Sequence, residues 1–485
     1  RDRSPSRGLG DVYKRQGLDD VLASLPEDKR AEMLDLWISK AQDKPARKMP
    51  KMPEADESET IAEVLEEKLD EYNLRGTTVI DCKEDTPQGR RETMLQAVYK
   101  MHGRKSLFRQ ENTAVEMLPR TEPEEIFEVT DGKSQPEDNR RAIVKVTRAN
   151  GLSLICDAVT LYYTTKHSVQ FVDPTTRDID TIFQPKWAKQ LPHLNGLVFT
   201  PIVTPSGRLV TTSGFEPETG LFVDLDDDVA DLDIPENPAD EDVAWAKERL
   251  EDVFCDFPFK TPQDLSRVMA LILSMVFRPS VSKSPAFLLS GSGPAVGKGM
   301  LASAVSTLVT GAPVPVTKCP SKDNEFDKVL TALLIQGKTL AMFDEPGGVI
   351  DSKALAAAIT EETHTGRVLG ESRTLSVPNV MQMIFAGNNV AVSRDLARRF
   401  VYIDLMVQSD FAEARSGFKY PQLNAYIKEH RRELMTAVLI LVQAWIAAGR
   451  PLPREGMPTG GFEEWYKCVC LLYTSDAADD TPCVD

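Results

Sequence analysis

Apolar residues recur at helical spacing through Leu18–Ala41 (Leu22, Leu25, Met33, Leu36, Ile38), which predicts a helix there. Residues 43–57 are rich in Pro, Lys and acids and read as a linker. Ile61–Tyr72 reads as a short acidic helix, Thr77–Ile80 as a strand and Glu92–Met101 as a helix, followed by a charged, Pro-containing stretch from Arg120 to Arg141. From Ala142 the pattern changes to short β-rich runs separated by turn residues: Ala142–Val146, Leu152–Ile155, Ser168–Val172, Gly196–Val203, Arg208–Gly214 and Gly220–Leu225. Asp226–Asp242 is acidic and Pro-bearing, again a linker by composition. Beyond it, apolar strands alternate with longer helical stretches, the pattern of a parallel α/β sheet.

This pattern divides the chain into a helical, acidic N-terminal region (17–141), a β-rich domain (142–225), an acidic linker (226–245) and an α/β domain (246–450). The start of a further C-terminal region follows (451–469). The two ends stand apart. Ser6–Gln16, SRGLGDVYKRQ, resembles the translation of a transposase-type sequencing-library adapter, and Cys470–Asp479, CLLYTSDAAD, resembles that of its reverse complement with a companion arm. Residues 1–16 and 470–485 are therefore set aside as adapter-like, and the natural polypeptide is expected to be truncated at both ends.

Composition narrows the classes. With 41% hydrophobic and 27% charged residues the chain is an ordinary globular one, and 485 residues suffice for several domains. A net charge of −17 excludes a general nucleic-acid coat while leaving room for a local basic track. The seven Cys form no metal-like pair of pairs, and sparse unpaired Cys fit a reducing cytosol. The longest apolar stretches, Val268–Phe277 and Leu434–Ala448, are too short or interrupted to span a bilayer and read as buried helices.

The chemistry concentrates in the α/β domain. Ala286–Leu289 is an apolar run followed by SGSGPAVGKG (Ser290–Gly299) and a helical segment, Met300–Leu308. Strand, Gly-rich turn, Lys and helix is the context of a phosphate-binding loop, in which backbone N–H groups and a helix N-terminus converge on phosphate oxygens. Gly291, Gly293 and Gly297 free the backbone, Lys298 reaches the outer oxygens, and Val296, Gly299 and Met300 complete the loop. The strict pattern has Gly at Ser292 and Ser or Thr at Gly299; the missing hydroxyl would have ligated Mg²⁺, so metal binding falls to Asp344, phosphates and water. Taken alone, this is a Gly-rich turn with a solvent-facing Lys as readily as a site.

Order strengthens it. Lys338–Phe343 predicts a strand ending in Asp344 and Glu345, an acid placed to hold Mg²⁺ and a neighbour placed to polarise water. Met381–Phe385 predicts another, ending in Asn388 and Asn389, where an amide meets a γ-phosphate. Ser393–Arg399 follows, with Arg398 or Arg399 as a finger on a neighbouring subunit's nucleotide, and then the strand Phe400–Leu405. All four elements are expected at strand tips on one side of the sheet. Singly, each is equally an ordinary strand end, Asn-rich turn or solvated helix start.

ALLIQGKTLAMFDEP (332–346) and RVLGESRTLSVPNVMQMIFAGNNVAVSRDLARRFVYIDL (367–405) resemble the ATPase domain of phage and integrative-element primase–helicase-like proteins, relatives of superfamily 3 helicases and the AAA+ class. Leu191–Leu225 is similar to the β-rich segment before that domain, and Gly460–Lys467 to the start of the region after it. The resemblance implies an ATP- and Mg²⁺-dependent homo-oligomeric ring acting on DNA, expected to be single-stranded, in the bacterial host cytosol. It also implies a DNA-tracking hairpin around Gly370–Ser372, with Arg367 and Arg373 as contacts. Two alternatives stay open: a nucleotide-binding accessory that does not hydrolyse, favoured by Gly299, and a nucleotide kinase, disfavoured because Ala302–Val316 lacks the Arg-rich lid such enzymes need.

Overall fold

The computed structural model describes residues 61–83, 86–119, 140–165, 168–346, 348–368, 374–407, 415–451 and 461–474. The expected helix at 18–41, the linker at 43–57, the run Ser6–Gln16, the hairpin tip Gly370–Ser372 and Arg373 lie outside the described residues.

The chain divides into two units. The smaller contains the acidic helix Ile61–Glu71 and the segment Thr164–Gln170, where Lys68 Nζ donates to the Val169 carbonyl at 2.8 Å. The larger, Leu74–Tyr163 and Phe171 onwards, holds everything else.

Within the larger unit, Thr78–Asp81 pairs in parallel with Val159–Tyr162. The helix between them, Pro87–His102, starts where Thr86 Oγ1 accepts from the Gly89 N–H and buries Met94, Leu95 and Val98. Leu152–Ile155, expected as a strand, is helical: it lies inside Arg148–Ala158. The Thr147 N–H and hydroxyl both donate to Asn150 Oδ1 and fix the helix start, and Gly151, Leu154, Ile155 and Ala158 then share one buried face at spacings of three and four. A short apolar run is consistent with either element, and the cap decides.

Leu107–Gln110, Thr113–Leu118 and Ala142–Lys145 form an antiparallel meander. The remaining β-rich runs give very short strands, among them Gly196–Val198, Ile202–Val203, Leu209–Val210 and Leu221–Val223. The expected acidic linker is folded down rather than free. Val229 and Leu232 are buried, and Asp226 and Asp228 accept from Arg431 Nη1 at 3.1 and 2.7 Å. The helix α1 (Asp240–Val253) already begins within it.

The α/β domain follows. Its strands are β1 (Ala286–Gly291), β2 (Val316–Lys318), β3 (Leu340–Asp344), β4 (Gln382–Asn388) and β5 (Phe400–Leu405). All neighbours are parallel, in the order β2-β3-β4-β1-β5. Helices α2 (Pro262–Phe277), α3 (Lys298–Thr310), α4 (Asp323–Ile335), α5 (Lys353–Thr360) and α6 (Arg431–Ala447) flank it. This is an α/β fold, a five-stranded parallel sheet flanked by helices. Because helices cover both faces, β1 and β4 are apolar at nearly every position instead of alternating, and Phe287, Leu288, Leu289, Ile384 and Phe385 are wholly buried. Phe326, Phe343, Phe385 and Phe400 continue as one ring-to-ring series, with successive centroids 5.1, 5.1 and 5.3 Å apart. The last helix, Glu463–Thr474, runs five residues past Val469 and packs Trp465 against α2, its indole donating to Ser274 Oγ at 2.7 Å.

Candidate nucleotide site

Parallel register brings the strand ends to one edge. Lys318 stands opposite Asp344, Asp344 opposite Ala386, and Gly291 opposite both Asn388 and Leu405. Asp344, Asn388 and the glycine turn are thereby assembled from segments far apart in the chain.

The turn leaves β1 at Gly291, where a Cβ would fall 2.5 Å from Val296 Cγ2 and 2.8 Å from Lys298 Nζ, so a larger residue would displace both side chains. Gly297 adopts φ +104° just before α3, and Ala295 also lies in the left-handed region at +57°. Together these turn the loop back on itself and leave the α3 N-terminus facing the strand tips. The Val296 side chain is buried, leaving only its backbone for a ligand, whereas Met300 is exposed on the helix. Nothing lies within 4 Å of a Cβ built on Gly293 or Gly299, so both positions are open to an incoming group.

Lys298 Nζ donates to the Gly293 carbonyl at 3.1 Å and to Asn388 Oδ1. Burial pushes its ammonium below the usual lysine range, and the nearby Asp344 carboxylate pulls in the opposite direction. Asp344 Oδ1 accepts the Glu345 N–H at 2.9 Å, an N–H that also lies 3.1 Å from the Ala386 carbonyl. Glu345 (φ +51°) and Asn389 (φ +48°) join Ala295 as left-handed non-glycine residues on this one edge. Such backbone costs about 1–2 kcal/mol per residue and persists where the surroundings hold it. Here the Asn389 N–H is held by the Gly291 carbonyl at 3.2 Å, and a Cβ on Gly387 would clash with the Val390 side chain and crowd Pro346.

The donors suit a magnesium ion of the kind that keeps most of its waters. Asp344 is one partly buried carboxylate beside the glycine turn, position 299 offers no hydroxyl, and among the described residues no three His, Cys, Asp or Glu gather as a protein-only metal cage.

No protein-family model matches the chain, and no curated protein matches it. Among solved structures it is similar to one described as the A form apo structure of NrS-1 C terminal region-CTR, at 12% identity and a TM-score of 0.34, over 62% of this chain and 63% of that one. It is also similar to the X-ray structure of JCV Helicase, at 17% identity and a TM-score of 0.23, over 50% of this chain and 68% of that one. At such distances neither likeness assigns an activity.

Three of the four expected elements meet at this edge; the arginines do not. Arg398 and Arg399 precede β5, and the Arg399 carbonyl accepts the N–H of Ala286 at the start of β1, so both sit at the opposite end of the sheet. A strand of this length places them roughly 17–20 Å from Gly291. Arg399 is tied within its own chain, Nη1 donating to the Ala356 carbonyl at 2.6 Å and lying 3.2 Å from Thr360 Oγ1. Arg398 is exposed, with Asp395 at 3.9 Å.

The expected hairpin is present: Thr363–Arg367 pairs antiparallel with Thr374–Pro378. Arg367 is exposed at its outer end. Three residues near the site escaped the sequence reading. Lys318 ends a three-residue edge strand too short to register as one. The Phe257 ring lies beneath Gly297, 3.5 Å from where a Cβ would sit. Asn424 Nδ2 donates to Ser303 Oγ on α3 at 2.8 Å. None of the described helices is long and apolar enough to cross a membrane.

Proposed function

We propose that residues 246–450 bind ATP with Mg²⁺ and hydrolyse it to drive movement on single-stranded DNA during replication of a phage, plasmid or mobile element. The observation that carries this reading is the convergence of Lys298, Asn388 and Asp344 beside a left-handed glycine turn at a helix N-terminus. In this reading the loop amides and Lys298 hold the β- and γ-phosphates, and Asn388 shifts from Lys298 to the γ-phosphate and the attacking water. Glu345 accepts the proton as the water oxygen bonds to the γ-phosphorus and the bridging P–O bond to ADP breaks. Asp344 would hold Mg²⁺ through water, and the ion would supply positive charge against the phosphate oxygens.

Arg398, exposed on the far edge of the sheet, suits action across a subunit boundary in a homo-oligomeric ring rather than on the chain's own nucleotide, whereas Arg399 is held within its own chain. Arg367 and Arg373 on the hairpin are the proposed DNA contacts. The protein would work in the bacterial host cytosol.

Gly299, which offers no hydroxyl to a metal ion, favours one second reading, a replication accessory that binds nucleotide without hydrolysing it. Phosphate release from Mg-ATP, with and without single-stranded DNA, separates the two. DNA-stimulated release that disappears in Lys298→Ala supports the motor. Nucleotide binding without release under either condition selects the accessory, and undiminished release from Lys298→Ala would overturn both.

A further inference from the structure

The hairpin Thr363–Arg367/Thr374–Pro378 has two unlike faces. His364, Gly366 and Val377 are buried, with His364 Nε2 2.8 Å from Thr331 Oγ1 on α4. Thr363, Thr365, Arg367, Thr374 and Ser376 are exposed, and the Thr365 and Ser376 hydroxyls lie 3.2 Å apart. Hydroxyls, a free-standing guanidinium and a backbone N–H are the groups that hold a phosphodiester without reading its base.

The N–H of Ser376 is not open to solvent chemistry of that kind. It donates to Glu111 Oε1, from a turn 265 residues earlier in the chain. Glu111 joins the strands Leu107–Gln110 and Thr113–Leu118, and its backbone is left-handed at φ +50°. It is held in that conformation from both sides: its N–H donates to His193 Nε2 at 3.3 Å, and its carbonyl accepts from Arg109 Nη1 at 2.8 Å. The His193 ring is fixed in turn, Nδ1 lying 2.7 Å from Asn195 Oδ1. A strained turn held by three side chains thus presents one carboxylate to the outward face of the hairpin.

We infer that Glu111 is an intramolecular stand-in for a DNA phosphate, so that the meander carrying it holds the hairpin closed to single-stranded DNA until the strand displaces it. A carboxylate and a phosphodiester oxygen are both anionic acceptors and compete for the same N–H. The negative charge of Glu111 also opposes a phosphate arriving at Arg367. This inference rests on the reading that the hairpin meets DNA, and it adds where the restraint comes from.

The test uses the full chain and a fluorescent oligo-dT, with binding read by anisotropy at fixed salt and folding checked by thermal melting. Glu111→Ala is expected to bind about five-fold more tightly than wild type, as loss of one competing charge-assisted hydrogen bond at a partly exposed position allows. Glu111→Gln, which keeps an acceptor and loses the charge, is expected in between. Arg367→Ala weakens binding and also removes most of the gain from Glu111→Ala in the double variant, because both act at one face. Folded Glu111→Ala that binds no more tightly, while Arg367→Ala still weakens binding, overturns the inference and leaves the DNA reading standing. If no variant and no wild-type chain binds the oligonucleotide, both fall.

Discussion

Lys298 Nζ is hydrogen-bonded to Asn388 Oδ1, so the residue that opens helix α3 is tied to the tip of the strand next to β1. Under the proposed function, a nucleotide arriving at this edge would take over both groups, the ammonium turning to its oxygens and the freed amide to the terminal phosphate. The pair is a preorganised polar site in which each partner satisfies the other until ligand replaces it.

Removing the ammonium should therefore remove hydrolysis. Lys298→Ala is expected to lower phosphate release by about 10²–10³-fold. Gly299→Ser acts in the opposite sense. Its Cβ meets nothing within 4 Å, and the added hydroxyl would restore the Mg²⁺ ligand of the strict loop pattern, so the magnesium concentration for half-maximal release should fall about tenfold. A magnesium titration of steady-state phosphate release checks both.

The two adjacent arginines should separate cleanly. Arg399→Ala breaks the bonds to the Ala356 carbonyl and Thr360 Oγ1 and is expected to lower stability by about 1–3 kcal/mol in urea unfolding. Arg398→Ala breaks only a long contact to Asp395 on the surface. It is expected to leave the unfolding midpoint unchanged while poisoning hydrolysis in assemblies mixed with wild type.

That separation shows what the sequence did and did not make legible. Asp344 and Asn388 were readable because each closes an apolar run, and Lys298 because a Gly-rich turn carries the chain from such a run into a helix; parallel strands send all these ends to one edge. Arg398 and Arg399 precede their strand instead of following it, so the same rule puts them at the other edge. Leu152–Ile155 was misread because its apolar run is too short to show a period, and the Thr147–Asn150 cap that makes it helical has no unique sequence signature. The Glu111–Ser376 contact joins segments 265 residues apart and leaves no local trace.

Acid should loosen the base of the hairpin. Burial holds the His364 imidazole below its ordinary pKa of 6.5, outweighing the Asp327 and Glu361 carboxylates that pull it up. With the folded pKa depressed, the unfolded chain binds the proton more readily, so the stability due to His364 is complete above about pH 6.5 and declines as pH falls below it. His193, also lowered mainly by burial, acts in the same direction. The melting temperature should fall between pH 7 and pH 5, and His364→Gln should flatten part of that slope.

Arg431 is buried to 1% exposure and donates to Asp226, Asp228 and the carbonyls of Leu308 and Val309 at the end of α3. Arg431→Ala removes one shared donor from two carboxylates and two helix-terminal carbonyls. Because Asp226 and Asp228 retain 26% and 40% exposure, the expected loss is about 2–4 kcal/mol, below that of a fully enclosed pair. A shifted urea midpoint with an unchanged slope would register it.

The sheet order also dictates when this protein can first become whole during its synthesis. Strand β1 pairs only with β4 and β5, which leave the ribosome long after it, and Asn389 must arrive before its N–H can clasp the Gly291 carbonyl. Until then the most apolar strand of the domain has two open edges and nothing to zip to. A nascent chain halted before Gln382 is thus a client for chaperones, and any nonsense mutation in that interval should yield aggregate rather than a half-working fragment.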